Sequence, residues 1–248
     1  EQIINENFLT ITPQGEITGG VAAFSAWCSE RRLKFDKTAT EYQSTLSKYE
    51  AYRKNGLIDG LSKLKNTFKE IFLDELYYLD FYALERFGKT KLGSLLLYAK
   101  QTQNKKLIYM IYELTHARIL KLIKEKKVDA IGFVPPTIPR QIQFQKEFAE
   151  KLDISLPHLN IVKVSGDVAV PQKSLSKLED RVVNARSTII VDEDTPRKNI
   201  LLIDDAVGSG STLNEVARKI REKKLVSGKV IGLALVGSYK GFDVISEV

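Results

Sequence analysis

"NILLIDDAVGSGSTLNEVARKIREKK", residues 199–224, passes from apolar to acidic to small residues and then into an amphipathic pattern. Ile200, Leu201, Leu202 and Ile203 form a continuous apolar run, the signature of a strand buried on both faces. Asp204 and Asp205 stand at its C-terminal end, and Gly208, Ser209, Gly210, Ser211 and Thr212 follow. From there Leu213, Val216, Ala217 and Ile220 recur at helical spacing. In an open parallel sheet, ligands bind beyond the C-terminal ends of the strands. The unpaired N–H groups and positive dipole end of a helix N-terminus favour an anion there. Glycines let the backbone approach it, and the hydroxyls of Ser209, Ser211 and Thr212 add donors. Paired carboxylates at a strand end serve as metal ligands, as a general base, or as acceptors for sugar hydroxyls. The loop therefore suits a phosphate and the carboxylates suit the sugar joined to it, the layout of a ribose 5-phosphate. An ordinary strand-to-helix turn with a Ser or Thr N-cap explains the hydroxyls. It does not explain two carboxylates at the end of a buried strand. A Walker A loop is excluded because no Lys-Ser/Thr pair follows the last glycine. A dinucleotide fingerprint is excluded because the acidic pair precedes the glycines instead of following by ~20 residues.

Outward from this stretch, strands and helices alternate. Residues 128–134 and 229–237 read as strands, as does "LNIVKV", and "TIIV" as a further one. Residues 140–152 read as a helix, and two more helices are expected over 91–100 and 105–126. Such alternation predicts an α/β fold with a mostly parallel twisted sheet flanked by helices. Residues 76–87 suit strands ahead of a turn at Gly88. Before them the texture differs. Residues 1–20 alternate like a small hairpin, residues 21–52 read as helical up to Asn55-Gly56, and residues 57–73 read as a second helix. The expected division is an N-terminal hairpin plus helical extension over 1–75 and an α/β domain over 76–248. Trp27 and the N-terminal tyrosines read as core or interface. Residues 165–188 are long, charged and weakly patterned, which suits a mobile functional loop or a disordered segment.

The whole chain bounds the function classes. It has 248 residues, 43% hydrophobic and 28% charged, as in a globular protein with a sizeable core. No apolar run approaches the ~20 residues of a membrane helix. A single cysteine, Cys28, excludes an internal disulfide and a cysteine zinc cluster, and two isolated histidines argue against a histidine metal site. The expected location is the cytoplasm. The net charge of +7 suits nucleic acid or a highly phosphorylated small molecule, but the lysines are spread out and serve equally as a solvated surface.

"ILLIDDAVGSGSTL" resembles the phosphoribosyl-pyrophosphate (PRPP) binding motif of type I phosphoribosyltransferases. A broader likeness over residues 92–236 is to the ComF-like branch. "KLGSLLLYAKQTQNKKL" is similar to that branch's segment before its first core strand. "IGFVPPTIPRQIQFQKEFAEKL" resembles its strand, proline-containing loop and helix. "VPQKSLSKLEDRVVNARSTI" resembles its mobile segment. The chain departs from the branch in lacking an N-terminal cysteine zinc cluster, and in having Ile142, Gln143, Phe144 and Gln145 where Gly-Phe-Asn-Gln is common.

The resemblance implies Mg²⁺-dependent transfer of 5-phosphoribosyl from PRPP to a nitrogen nucleophile, a nucleobase or amine, with release of pyrophosphate. Asp204 and Asp205 would bind the ribose hydroxyls and stabilise positive charge at the anomeric carbon. Ala206, Val207, Gly208, Ser209, Gly210, Ser211 and Thr212 would hold the 5-phosphate. Pro135, Pro136, Thr137 and Arg140 would hold pyrophosphate. Lys173, Arg181 and Arg186 would close over PRPP and exclude water. Mg²⁺ would sit mainly on substrate oxygens, with no protein side chain assigned to it. Tyr239 and Phe242 suit stacking on a base, with core packing an equal reading. Two other functions stay open: a non-catalytic PRPP-sensing protein, and a competence- or DNA-associated protein that retains the loop. The implied partners are PRPP and an unidentified acceptor. A homodimer is allowed, nucleic acid is not favoured, and no membrane is implied.

Overall fold

The computed structural model describes residues 1–136, 138–164 and 178–239. The chain opens with α1 (Gln2–Asn7) and an antiparallel hairpin of β1 (Leu9–Ile11) and β2 (Ile17–Gly19). Next come α2 (Gly20–Glu30), whose Val21 N–H is capped by Asn5 Oδ1 at 3.0 Å, and α3 (Phe35–Glu50). Phe8, Phe24, Trp27, Tyr42 and Phe87 pack edge-on, tilted and, for Phe24 on Trp27, stacked, with ring centroids 5.0 to 6.0 Å apart. Phe8, Phe24, Tyr42 and Tyr49 are buried in the core and Trp27 packs half-buried against it, whereas Tyr52 is exposed.

The next segment differs from its sequence reading. Asn55 and Gly56, both at positive φ (53° and 82°), form the two-residue turn of a hairpin between β3 (Arg53–Lys54) and β4 (Leu57–Asp59). Asn-Gly is the favoured pair for such a turn, so it starts a strand instead of ending a helix. The expected helix over 57–73 shrinks to α4 (Leu61–Lys65). Pairing of β4 with β5 (Glu75–Phe81) claims residues 57–59, and this outweighs helical spacing of their side chains. The main sheet thus takes strands from both sides of residue 75.

β6 (Ala83–Leu84) and β7 (Gly88–Lys89) make a short hairpin. α5 (Lys91–Thr102), capped by Thr90, and α6 (Lys105–Glu125), capped by Asn104, follow. β8 (Ala130–Phe133) leads to α7 (Phe144–Leu152), which begins four residues later than the sequence suggests. β9 (Ile161–Lys163) and β10 (Ile189–Val191) pair antiparallel as a separate ribbon. Between them lies α8 (Leu178–Thr188), where the sequence suggests only an irregular loop. β11 (Ile200–Val207), α9 (Ser211–Glu222) and β12 (Val230–Gly237) complete the described chain.

The main sheet has the order β3-β4-β5-β12-β11-β8. β5, β12, β11 and β8 are parallel, and the β3–β4 hairpin adds an antiparallel edge. The fold is α/β, a mostly parallel sheet flanked by helices with an N-terminal helical extension. Every residue of β12 and all but Asp204 of β11 are buried, because helices cover both faces. α9 offers Leu213, Val216, Ala217 and Ile220, all fully buried, to one face. α5, α6 and α7 cover the other through Leu95, Leu96, Ile108, Ile111 and Phe148.

At the N-terminal end of the sheet, Glu75 accepts from Tyr77 Oη (2.7 Å) and pairs with Lys126 (2.6 Å) and Lys229 (2.7 Å). Burial alone would raise its carboxyl, but these hydrogen bonds outweigh it and hold the pKa at about 2.

Candidate active site

Three strand ends meet at the C-terminal edge of the sheet. Val134 N–H donates to Ile203 O at 2.9 Å, which sets Pro135 and Pro136 beside Asp204. Ser238 N–H donates to Val207 O at 3.2 Å, which sets Tyr239 on the other side. β11 runs on through Asp204 and Asp205 to Val207, because main-chain pairing of Ala206 and Val207 with Val236 and Gly237 continues beneath the acidic side chains. The carboxylates therefore lie within the strand's last half, not past its end.

Adjacent residues of a strand point to opposite faces, and the two carboxylates have different partners. Asp205 is buried, and its Oδ2 stands 2.5 Å from Lys100 Nζ at the end of α5. Asp204 is half-buried. Its Oδ1 accepts from the Asp205 N–H at 2.8 Å and from Gln145 Nε2 at 3.4 Å. Lys163, at the end of β9, also faces this charge: burial lowers its ammonium pKa and the Asp204 carboxylate opposes that shift.

Below the acids, Gly208, Ser209 and Gly210 form the loop, and Ser211 and Thr212 are the first residues of α9. Ser209 Oγ donates to Ser211 Oγ at 3.1 Å and accepts from Ser211 N at 3.4 Å. Gly210 is the N-cap at φ 82°, ψ 4°, a left-handed geometry that costs a side chain strain. A Cβ there would also collide with Leu64 of α4. The N-terminal extension is tied to the same helix. Asn214 Oδ1 accepts from Phe72 N–H (2.8 Å), its Nδ2 donates to Glu70 O (3.0 Å), and Arg221 Nε donates to Phe72 O (2.7 Å).

The other candidates fall around this edge. Pro135 and Arg140 are half-buried and Pro136 is exposed on the loop after β8. That loop is fastened by Ile142 N–H to Gln103 Oε1 at 2.8 Å. Arg186 lies on α8, its Nε 3.9 Å from Glu215 of α9, and its carbonyl accepts from Lys219. Arg181 lies on α8 as well. Thr137, Lys173 and Phe242 fall outside the described residues. Tyr239 packs 4.3 Å from Tyr49 and edge-on to Phe81 at 5.4 Å, and its hydroxyl meets Tyr52 Oη at 3.2 Å. It is one wall of a cavity of about 1050 Å³ that Tyr52, Lys63, Tyr78 and Phe81 also line. Lys63 Nζ contacts the Ser238 hydroxyl within it.

Lys100, Gln145 and Lys163 are absent from the sequence reading of the site. A signal for two of them exists. Leu92, Leu96 and Lys100 are spaced by four, and Gln145, Phe148 and Leu152 share one stripe of α7. A polar residue on a buried stripe marks a place where the core meets a site.

Among the described residues no cluster of three or more His, Cys, Asp or Glu side chains is arranged to hold a metal ion. No helix among them is long and apolar enough to cross a membrane.

Residues 141–240 match the family model described as phosphoribosyl transferase domain, a span that begins just before α7 and includes the acidic pair and the loop. No curated protein matches the chain. Among solved structures, a hypoxanthine phosphoribosyltransferase from Staphylococcus aureus is similar at 15% identity with a TM-score of 0.32, over 54% of this chain and 65% of that one. This chain thus spans less than two thirds of that protein's length.

Proposed function

We propose that the protein transfers 5-phosphoribosyl from PRPP to a nitrogen nucleophile and releases pyrophosphate. One observation carries the reading. A glycine-serine loop, left-handed at Gly210, opens α9 directly below Asp204 and Asp205 at the C-terminal edge of the sheet. The match of residues 141–240 to the phosphoribosyl transferase domain supports it. On this reading the first N–H groups of α9 and the Ser209 and Ser211 hydroxyls hold the 5-phosphate. Asp204 takes ribose hydroxyls and favours the positive charge that develops as pyrophosphate leaves. Pro135, Pro136, Thr137 and Arg140 face the pyrophosphate, and Lys173, Arg181 and Arg186 belong to the covering segment. Tyr239 and Phe242 border the acceptor.

The donor set fits Mg²⁺ as a substrate-borne ion: Asp204 offers one hard oxygen ligand beside substrate oxygens. When bound, Mg²⁺ would offset charge on the pyrophosphate leaving group. The ComF-like branch, the division at residue 75 and a cytoplasmic location belong to the same proposal, with residues 1–75 acting as a brace on α9.

A second reading, a PRPP sensor without turnover, draws on Lys100, whose pairing with Asp205 occupies one of the two acids. A pyrophosphate-release assay with PRPP, Mg²⁺ and a panel of nucleobases and amines separates the two. Release dependent on one acceptor supports the transferase. Tight PRPP binding without release from any acceptor supports the sensor.

A further inference from the structure

Gln145 is 9% exposed, on the stripe of α7 that also carries Phe148 and Leu152. Its Nε2 points to Asp204 Oδ1 at 3.4 Å. A carboxylate only accepts, so this contact fixes which end of the amide is which. The other end, Oε1, is enclosed and accepts no hydrogen bond among the described residues. Buried carbonyl oxygens are almost always paired, and an unpaired one is costly. Leucine would fill the same stripe without that cost. Nor is the amide needed to hold Asp204: the bond is long, and Oδ1 already accepts from the Asp205 N–H at 2.8 Å.

Two acceptors, Asp204 and Gln145 Oε1, thus belong to adjoining side chains at the sheet edge, and the Lys163 ammonium faces the Asp204 charge. Neighbouring acceptors match neighbouring donors on one ligand. We propose that Gln145 Oε1 accepts a hydrogen bond from one hydroxyl of a vicinal diol on a phosphorylated sugar, with Asp204 taking the adjacent hydroxyl. This rests on the phosphoribosyl reading and adds a sugar-binding residue outside the acidic pair and loop.

The test compares wild type with Gln145→Leu and Gln145→Met, using ribose 5-phosphate and inorganic phosphate as calorimetric probes and ligand-free melting as the structural control. The expected result is ribose 5-phosphate binding about tenfold weaker in both variants, as one lost hydrogen bond implies. Inorganic phosphate binding stays within about twofold, because the loop is untouched. Ligand-free melting is unchanged or higher, because an unpaired buried carbonyl is gone. Variants that bind ribose 5-phosphate like wild type, lose both probes equally, or both melt well below wild type overturn the proposal. Wild type that binds inorganic phosphate but gains nothing from the sugar overturns it together with the phosphoribosyl reading. That failure is recognisable because it appears in the wild type.

Discussion

Lys100 on α5 and Asp205 on β11, 105 residues apart in sequence, form an ion pair with side chains 12% and 9% exposed. It joins the first long helix of the connection from β5 to β8 to the strand at the centre of the site. A buried pair adds little net stability over apolar residues, but removing one partner leaves an uncompensated charge.

Lys100→Met is therefore expected to destabilise the protein by roughly 3 kcal/mol. Lys100→Met with Asp205→Asn is expected to recover most of that loss, since no charge is stranded. Urea denaturation of the two variants and wild type measures both. A single variant as stable as wild type would show that the pair is open to solvent.

Gly210→Ala is expected to cost about 1–3 kcal/mol, because it forces a side chain into left-handed backbone and against Leu64. Leu64→Ala in the same chain relieves the collision but not the backbone strain, so it restores only part. Thermal melting reads the effect, and full recovery in the double variant would mean that Leu64 alone dictates glycine here.

Glu75 gives a pH dependence. Its folded pKa, about 2, lies below the ordinary 4.5. A depressed carboxyl contributes stability that is complete above the unfolded value and is lost as pH falls toward the folded one. Stability should thus decline between pH 4.5 and 2. Glu75→Gln should lower stability at pH 7 and flatten this decline. Urea midpoints at pH 7, 4 and 3 check it, and parallel curves for the two proteins would assign the acid sensitivity to other groups.

The sequence made the centre of this fold legible and its edges less so. Ile200 to Ile203 and the stripe Leu213, Val216, Ala217 and Ile220 are governed by local burial, so β11 and α9 fall where periodicity puts them. The strand's continuation through two aspartates is set by backbone pairing with β12, which side-chain polarity does not report. Leu57 to Asp59 carry helical spacing, yet an Asn-Gly turn and the free edge of β5 make them a strand. The acids and the loop are contiguous, so a single stretch of sequence carries both. Lys100, Gln145 and Lys163 come from three other elements, and only the folded sheet edge brings them to the aspartates.

On the proposed function, this edge binds PRPP through Asp204 and the loop below it. Calorimetry of PRPP with and without Mg²⁺, on wild type and Asp204→Asn, tests it most directly, because Asp204 can change without stranding Lys100. Mg²⁺-aided binding is expected in wild type, weakened at least about tenfold in the variant, as loss of a charge-assisted contact implies. No binding to wild type at millimolar PRPP, or equal affinity in the two proteins, would contradict it.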